Sequence, residues 1–389
     1  MPSHLRHPRN VVLTLGLHRG SGGPVRAVRA DQEALDASVI SWECGRAGQR
    51  QASIWSDATF VNSLEVPFLR SLCVPAELGL RAAETLVANA PLISVHTYWR
   101  WHVHWVHRMH KKYGVPYLFV PHGSLDPYVR RSNNAVAKAV FHSVIGRAFL
   151  RDAAAIVFAT EMEKQKAATL IPHDRMEVIA WPLEEGDFRE RDRTRRARTR
   201  ASLGIPSEAP TFLYLGRLTP MKRPIETIEA FAKSGVSDAH LILVGNEDGI
   251  SIDECAAEAN RWDVRERTHV VGPRYGKERF DLMDASDIYV SMSYRENFNY
   301  SAAEAIASGM MTILSTGNDL AHTLKRSELK GVYVVDTKDT EAFSSSMRDA
   351  ANGIVTLDDG SNGREWARIH LGFDTYRERI GNLRSRFAR

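Results

Sequence analysis

Residues 287–309 read DIYVSMSYRENFNYSAAEAIASG and join a short strand, a polar loop and a helix. The aromatic and β-branched residues of Asp287–Ser291 predict the strand, and the alanine-rich run after Asn299 predicts the helix. Glu296 then lies in the loop, and Glu304 lies more than one turn into the helix. At about 1.5 Å per helical residue, the two carboxylates are expected roughly 10 Å apart. This exceeds the spacing of about 5–9.5 Å in a glycosidase pair and suits two contacts along an extended ligand.

A second polar loop carries two cations at the end of another predicted strand. It reads GRLTPMKRP over residues 216–224, after the strand Thr211–Leu215 and before a helical pattern. Arg217 and Lys222 lie five residues apart, at the carboxyl end of a strand. Two fixed cations at this position favour a clamp on the two phosphates of a diphosphate.

Two further segments offer backbone amides to an anion. Residues 15–24 read LGLHRGSGGP, after the first predicted strand and before a helical pattern. Glycines at a helix N-terminus let backbone N–H groups approach an anion, although this loop is neither a GxGxxG nor a P-loop motif. The amides near Phe298 and Asn299, before the helix of Glu304, predict a similar anion site beside Glu296.

Strand-like runs alternate with helical segments along the whole chain, which predicts parallel sheets covered by helices. The predicted strands are Val11–Leu15, Val39–Trp42, Leu92–His96, Tyr117–Val120, Ala155–Ala159, Glu177–Ala180, Thr211–Leu215, His240–Val244, Thr268–Val271, Asp287–Ser291, Met311–Leu314 and Val332–Val335. Each half of the chain has enough strands for its own doubly wound sheet. The fold class is therefore α/β.

The apolar pattern breaks between the halves, where acidic and then arginine-rich sequence is followed by Gly204 and two prolines. We predict a first domain over residues 1–185 and a second over residues 186–370. Residues 371–389 are predicted to form a C-terminal helix that packs back on the first domain. Interleaved acidic residues in Arg189–Arg200 favour a solvated helix over a nucleic-acid arm.

Composition excludes several classes of protein. With 389 residues, 43% hydrophobic and 25% charged, the chain matches globular proteins rather than disordered or membrane-spanning ones. No apolar stretch is long enough for a membrane span or a signal-peptide core. Cys44, Cys73 and Cys255 are far apart and form no CxxC, so we expect neither a disulfide framework nor a zinc ribbon. A reduced cytoplasm is the expected compartment.

Residues 95–110 are rich in histidine and tryptophan and allow three interpretations. His104, His107 and His110 recur at i,i+3 and could share a helix face as metal ligands, but no carboxylate or cysteine nearby completes a set. The tryptophans with their basic neighbours could also lie at a membrane surface. Buried aromatics in a two-domain enzyme are the third interpretation and the one we favour.

Taken together, these motifs resemble glycosyltransferase family 4, the retaining nucleotide-sugar glycosyltransferases of the GT-B fold. The resemblance covers nearly the whole chain and rests on four motifs in the expected order. These are the glycine loop, the sequence PHGSLDP at 121–127, the GR-x4-K pattern and the E-x7-E pair. It implies two Rossmann-like domains facing each other across a cleft, with the acceptor on the first domain and the donor on the second.

The resemblance also implies roles for individual residues. Arg217 and Lys222 would hold the donor diphosphate, Glu296 would face the donor sugar, Glu304 would bind the ribose hydroxyls, and His122 would lie near the reacting sugar. The implied catalytic residues are His122, Glu296, Arg217 and Lys222. The implied donor-binding residues are Gly22, Gly23, Arg217, Lys222, Glu296, Asn297, Phe298, Asn299 and Glu304. No metal site and no cofactor are implied.

The sequence departs from the family pattern at three positions. Arg223 stands where the family usually has glycine, so an extra cation either approaches the phosphates or points away. Asn297 and Asn299 stand where the family usually has small residues. Asparagine tolerates left-handed backbone angles, so the loop is expected to survive with a reshaped sugar pocket.

The implied reaction transfers a sugar from a UDP- or GDP-sugar to a saccharide or lipid-linked saccharide with retention, in bacterial cell-surface polysaccharide or glycolipid synthesis. The implied location is the cytoplasm, at the inner face of the membrane and in peripheral contact with it; no nucleic-acid partner is expected. Two alternatives stay open: a catalytically silent protein that binds a nucleotide sugar, and a nucleotide-sugar epimerase. A dinucleotide oxidoreductase is disfavoured because the first strand lacks GxGxxG.

Overall fold

The computed structural model describes residues 9–17, 23–44, 55, 58–64, 72–77, 79–132, 134–171, 174–353 and 361–389. The chain divides into two compact units. The N-terminal unit comprises Met1–Pro182 and Phe373–Arg389, and the C-terminal unit comprises Leu183–Gly372. The chain therefore leaves the first unit three residues before the boundary expected from the sequence, and returns to it with the terminal helix.

The described part of the N-terminal unit contains a seven-stranded parallel sheet in the order β3-β2-β1-β4-β5-β6-β7. Its strands are β1 (Asn10–Leu15), β2 (Ala37–Glu43), β3 (Thr59–Asn62), β4 (Ile93–His96), β5 (Tyr117–Val120), β6 (Ala155–Phe158) and β7 (Met176–Val178). The inner strands are buried along their length, as expected for a sheet covered on both faces.

Eight α-helices accompany this sheet in the described residues. They are α1 (Gly23–Leu35), α2 (Leu80–Asn89), α3 (Trp101–Tyr113), α4 (Pro127–Arg131), α5 (Ala135–Phe141), α6 (Arg147–Asp152), α7 (Glu161–Ala167) and, from the end of the sequence, α16 (Phe373–Phe387). A π-helical turn, His142–Gly146, joins α5 to α6. Helix α16 packs against α1 and buries Tyr376, Ile380 and Leu383.

The C-terminal unit contains a six-stranded parallel sheet in the order β10-β9-β8-β11-β12-β13 over its described residues. Its strands are β8 (Thr211–Leu215), β9 (His240–Val244), β10 (Thr268–Val271), β11 (Ile288–Ser291), β12 (Met311–Ser315) and β13 (Val332–Val335). Its helices are α8 (Arg193–Leu203), α9 (Pro224–Ser234), α10 (Ile252–Arg261), α11 (Lys277–Ala285), α12 (Tyr300–Ala307), α13 (Asp319–Arg326), α14 (Thr340–Asn352) and α15 (Ser361–Leu371).

In each parallel sheet, successive strands are added first on one side of the first strand (β1 or β8) and then on its other side. This is the strand order of a doubly wound fold. In the C-terminal unit β8 lies between β9 and β11, so the loops after β8 and β11 emerge side by side. Ligands bind at such a switch point, outside the carboxyl ends of the strands. The prediction of two Rossmann-like domains is confirmed, and the loops of Arg217 and Glu296 lie at this position.

The cysteine prediction is wrong in one respect. Cys44, directly after β2, forms a disulfide with Cys73, and their Cα atoms are 5.2 Å apart. The pairing depends on the fold, because 29 residues separate the two cysteines in sequence. Trp42 Nε1 donates a hydrogen bond to the carbonyl of Cys73 at 2.8 Å, which ties this segment to the end of β2. Cys255 is a free, buried thiol.

The solvated-helix prediction for Arg189–Arg200 is also wrong for one face of α8. Asp287 pairs with Arg196 and Arg200 at 2.8 Å, and Asp284 pairs with Arg189 at 2.7 Å. Arg200 is buried and donates to the carbonyls of Ala285, Ser207 and Ala209. These arginines fasten the start of the C-terminal unit to α11 and the start of β11. In the residues described, no helix is both long and apolar enough to cross a lipid bilayer.

Candidate active site

The loop after β8 is held close to the neighbouring strand. The amide of Gly216 donates to the carbonyl of Val244 at 3.0 Å, and a Cβ on Gly245 would lie only 1.8 Å from the carbonyl oxygen of Gly216. Tyr214 OH donates to the carbonyl of Arg217 at 2.8 Å, and burial raises the pKa of this phenol well above its usual value. The backbone that carries Arg217 is therefore fixed, while its side chain is more than half exposed.

The two residues predicted to bind the diphosphate, Arg217 and Lys222, each contact a carboxylate. The guanidinium of Arg217 pairs with Asp248, and the Lys222 ammonium pairs with Glu296. Lys222 and Glu296 are each about one-fifth exposed, with 21% and 20% of their side-chain surface accessible. The loops after β8 and β11 thus meet through a direct contact between two residues that the sequence assigned to one site.

The backbone of the Glu296 loop is fixed on both sides. The backbone amide of Glu296 donates to the carbonyl of Gly317, and the backbone carbonyl of Glu296 accepts from the amide of Asp319, both at 2.8 Å. A Cβ on Gly317 would lie 2.2 Å from the carbonyl oxygen of Ser293, so only glycine allows this approach. On the other side, the amide of Tyr294 donates to the carbonyl of Met221, next to Lys222.

Asn299 begins the helix that carries Glu304. It has a left-handed φ of 59°, and its side-chain oxygen accepts from the amide of Ala302 at 3.2 Å. Its amide group donates to Asn318 Oδ1 at 2.7 Å, and Tyr289 OH donates to its oxygen at 3.2 Å. Because the side chain is buried and occupied by these bonds, it acts in the structure as the N-cap of α12.

The other residues of this loop are placed differently. Phe298 is buried, with its ring edge-on to Tyr300 at a centroid distance of 5.0 Å. The Asn297 Oδ1 atom is buried and has no hydrogen-bond partner in the described part of the chain. An acceptor left in this state is available to a donor group of a bound molecule.

Glu304 lies in α12 and is 3% exposed. Arg279 Nη1 of α11 lies 3.2 Å from its Oε1, and Arg279 Nη2 lies 2.9 Å from Asp187 Oδ1. Sequence reasoning missed Arg279, since the residue lies in a helix without a distinctive motif, 25 positions before Glu304. The parallel order β8-β11 brings that helix and α12 together.

The extra cation Arg223 points away from the phosphate ligands. Its Nε donates to Glu226 at 3.0 Å, and its Nη1 donates to the carbonyl of Thr337. Its φ of 57° lies in the left-handed region that glycine prefers, which agrees with the glycine usual at this position of the resembled family. Arg223 therefore fastens the start of α9 to the segment after β13.

In the N-terminal unit, His122 follows β5 with a left-handed φ of 51°. Its Nε2 lies 2.8 Å from Nδ1 of His96, the last residue of β4, and its ring stacks on Trp181 at a centroid distance of 5.1 Å. Burial, and then the neighbouring His96, hold the pKa of His122 well below its usual value. Gly23 begins α1, whereas Gly22 lies outside the described residues.

The histidines of α3 do not converge. His107 Nε2 contacts Asp152 Oδ2 at 2.9 Å, and His110 Nδ1 donates to the carbonyl of Val115 at 2.9 Å. In the described part of the chain, no group of three or more histidine, cysteine, aspartate or glutamate side chains could hold a metal ion. Trp105 is buried, and Trp99 and Trp101 pack against the core of the unit. The buried-aromatic interpretation of this segment agrees with these contacts.

Two doubly wound sheets, with paired loops at the switch point of the second, are the architecture of the GT-B fold. Two family models match: "Glycosyl transferase 4-like domain" over residues 20–182 and "Glycosyl transferases group 1" over residues 195–353. The chain belongs to this family, and the predicted resemblance is confirmed.

Particular relatives agree with this assignment. A D-inositol 3-phosphate glycosyltransferase of Xylanimonas cellulosilytica is 29% identical over 175 residues, which cover 44% of this chain and 40% of that protein. The chain thus matches less than half the length of this relative.

Solved structures match over nearly the whole chain. The sucrose-phosphate synthase of Thermosynechococcus elongatus has a TM-score of 0.73 at 19% identity, covering 97% of this chain and 98% of that one. Anabaena Alr3699/HepE, solved in complex with UDP, has a TM-score of 0.78 at 15% identity, covering 97% and 100%. At these identities the likeness establishes the fold.

Proposed function

We propose that this chain is a retaining, metal-independent glycosyltransferase that moves a sugar from a nucleoside diphosphate sugar to an acceptor hydroxyl. The observation that carries the proposal is the contact of Lys222 with Glu296 across the loops after β8 and β11, with Arg217 on the first of these loops. Cations at the carboxyl ends of strands suit the diphosphate, and the carboxylate beside them suits the hydroxyls of the attached sugar.

The ion pairs of Arg217 and Lys222 support a diphosphate as the ligand. Arg217 and Lys222 are each balanced by one carboxylate, Asp248 and Glu296. A diphosphate carries enough charge to replace both carboxylates, and it releases Glu296 to bind the sugar. In the transfer step these two cations and the N-terminus of α12 stabilise the charge that develops on the leaving diphosphate.

The nucleoside is expected at Glu304. Its carboxylate accepts hydrogen bonds from the ribose hydroxyls, while Arg279 orients it from α11. Ribose recognition of this kind serves UDP and GDP alike. The complex of Alr3699/HepE with UDP supports a UDP-sugar as the first donor to test.

Retention follows from a front-face displacement, in which a donor phosphate oxygen takes the proton of the acceptor hydroxyl. This route needs no protein nucleophile, in agreement with the expected wide spacing of the Glu296 and Glu304 carboxylates along the chain. In the C-terminal unit Asn297 and Phe298 are proposed to contact the sugar, and in the N-terminal unit the residue proposed to contact a sugar is His122. The acceptor is a saccharide or lipid-linked saccharide of cell-surface polysaccharide or glycolipid synthesis.

A peripheral membrane contact is proposed at the surface of α5 and the π-helical turn. Val136, Val140 and Val144 lie on successive turns and are 79%, 57% and 73% exposed. Residues 127–151 contain five arginines and lysines and no aspartate or glutamate; the basic residues are Arg130, Arg131, Lys138, Arg147 and Arg151. The exposed valines suit insertion at the surface of a bilayer, and the charged side chains of this segment, which are all basic, suit anionic headgroups at the cytoplasmic face.

Vesicle flotation tests this contact. The protein is expected to float with vesicles that contain phosphatidylglycerol and not with neutral phosphatidylcholine vesicles. Val140→Asp combined with Val144→Asp should abolish flotation, whereas Ile369→Asp, which changes an exposed apolar residue of the C-terminal unit, should not. Equal flotation of the two variants would contradict the contact.

The donor site is tested by thermal stabilisation with UDP, GDP, ADP and CMP, each with and without an attached sugar. A nucleotide at 100 times its dissociation constant adds about 2.7 kcal/mol to the free energy of unfolding. We expect one diphosphate to stabilise the protein and Glu304→Ala to remove the shift. Anomeric analysis of the transfer product by NMR then decides retention, and formation of a new sugar nucleotide without acceptor would identify an epimerase. Binding without transfer to any acceptor would favour the silent protein.

A further inference from the structure

In the N-terminal unit, His122 contacts a network of buried polar side chains that are joined by hydrogen bonds. Asp31 of α1 lies at its centre and is fully buried, as is His96. Asp31 Oδ2 accepts from Ser94 Oγ at 2.5 Å and lies 3.0 Å from His96 Nε2. Asp31 Oδ1 accepts from Tyr376 OH of α16. The other nitrogen of His96, Nδ1, contacts His122 Nε2 at 2.8 Å.

For a neutral His96, the positions of the protons follow from the donors available to Asp31. Ser94 and Tyr376 each donate their single hydroxyl proton in a hydrogen bond to this carboxylate. As a carboxylate only accepts, the nitrogen of His96 that faces Asp31, Nε2, carries a proton. If His96 is neutral, its other ring nitrogen, Nδ1, carries no proton and can only accept a hydrogen bond. The contact at 2.8 Å therefore requires the proton on His122 Nε2 and leaves His122 Nδ1 without one.

The other nitrogen of His122 is available to a ligand. In the described residues His122 Nδ1 makes no hydrogen bond, and the ring is fixed by its stacking on Trp181. The imidazole follows β5 at the carboxyl edge of the sheet, where doubly wound domains bind their ligands. A bare imidazole nitrogen accepts from a hydroxyl group and repels the oxygen of a phosphate or carbonyl group.

We propose that Asp31 and His96 are positioning residues that hold His122 neutral with its proton on Nε2, so that His122 Nδ1 accepts a hydrogen bond from a sugar hydroxyl. This rests on the proposed function, since it places the sugar at His122. In an aspartate–histidine pair the carboxylate selects the tautomer of the histidine that it contacts. Here Asp31 selects the tautomer of His96, and His96 in turn selects that of His122.

In the described residues, ionisable groups face this network of hydrogen bonds from four helices. Asp31 faces it from α1 and Tyr376 from α16. From α3, His102 Nε2 donates to the carbonyl of His96 at 3.1 Å, and burial lowers the pKa of His102 to about 4. From α7, Glu163 accepts from the amide of Gly123, next to His122, at 2.6 Å. His102 is neutral near pH 7, and Asp31 is the carboxylate in direct contact with His96, which in turn contacts His122.

Imidazole nitrogen NMR of the full chain tests the tautomers without any assay of transfer. The protein is labelled with ¹⁵N-histidine, and the signals of His96 and His122 are assigned by difference from His96→Gln and His122→Gln. At pH 7.5 we expect both residues neutral, with a protonated Nε2 and a bare Nδ1. A protonated Nδ1 on His122 would overturn the proposal, whether or not the protein transfers sugar.

Asp31→Asn provides the second arm. An asparagine amide can donate to His96 Nε2, which moves the proton of His96 to Nδ1 and that of His122 to Nδ1. We therefore expect new tautomer signals and a fall in kcat of about ten- to a hundred-fold with UDP-glucose or GDP-mannose, whichever the nucleotide panel selects. The KM for the donor should change less than kcat.

Asp152→Asn is the matched control, because it changes a similar aspartate–histidine contact, with His107 at 2.9 Å, elsewhere in the same unit. It should leave kcat and the signals of His96 and His122 unchanged. An equal loss of kcat in the two variants, with native tautomers in Asp31→Asn, would reduce Asp31 to a structural residue and overturn the proposal. Absence of transfer in the wild-type protein, with the expected tautomers, would count against the proposed function and not against the positioning.

Discussion

Lys222→Ala separates the catalytic contribution of a cation from its contribution to stability. The ammonium pairs with Glu296, and both side chains are about one-fifth exposed. Pairs in contact with solvent contribute about 1 kcal/mol or less to the free energy of unfolding. A unit of this size should therefore lose about 2–4 °C in Tm. During transfer the same ammonium faces the leaving diphosphate, where a fixed charge is worth about 2.7 kcal/mol or more, which is a factor of about 10² in rate.

The assay is the initial rate of sugar transfer at saturating donor, with Tm measured on the same samples. Lys233→Ala serves as the control, because Lys233 contacts Glu229 at 2.7 Å on α9 and is not assigned to the donor. We expect that control to keep its rate. A Lys222→Ala rate within about threefold of wild type would refute the assignment of this lysine to the diphosphate, since it corresponds to less than about 0.7 kcal/mol. A fall of more than about 10 °C in Tm would instead show that the ion pair stabilises the fold.

Arg217→Ala should likewise lower the transfer rate by about 10² or more, and its exposed side chain predicts no measurable change in Tm; an unaltered rate would remove Arg217 from the clamp. Arg279→Ala should weaken nucleotide binding about tenfold in a titration by calorimetry, because Glu304 loses the cation that orients it; unchanged affinity would argue against Glu304 as the ribose ligand. Burial lowers the pKa of His102 to about 4 and that of His122 well below its usual value, so the unfolded chain binds more protons and stability should fall as pH drops below about 6.5, by up to about 1.4 kcal/mol per pH unit for each histidine. Denaturant titrations from pH 7 to pH 5 measure this slope, and a flat profile would contradict neutral burial. Transfer should also be insensitive to EDTA, and a large loss with chelator would restore a metal-site interpretation.

The architecture was predictable because a parallel sheet leaves a strong imprint on sequence. Buried strands such as β9 and β11 are apolar along their length, and their separation by helical segments indicates crossovers. Strand β3, Thr59–Asn62, was missed because a four-residue edge strand carries little apolar pattern. The Cys44–Cys73 disulfide was missed for a different reason: it depends on the fold that brings Cys73 beside the end of β2, which the spacing of the cysteines in sequence does not reveal.

The candidate site was predictable where its residues form local motifs. Arg217 with Lys222, and Glu296 with Glu304, each lie within one loop and the start of one helix. The contacts between motifs were not predictable, because they depend on strand order. Arg279 reaches Glu304 from α11, and His96 reaches His122 from a neighbouring strand. The ordinary sequences around Arg279 and Asp31 do not distinguish them from other surface or helix residues.

The return of α16 to the N-terminal unit has a consequence for biosynthesis. Tyr376 reaches Asp31 across 345 positions of sequence. Residues 1–182 leave the ribosome first, yet the face of α1 that packs against α16 stays uncovered until all of residues 183–372 have been translated. The C-terminal unit is thus an insertion within its neighbour, and it can complete its own hydrophobic core while the earlier segment waits. Nonsense codons or proteolytic nicks near residue 372 should harm the half of the protein made first.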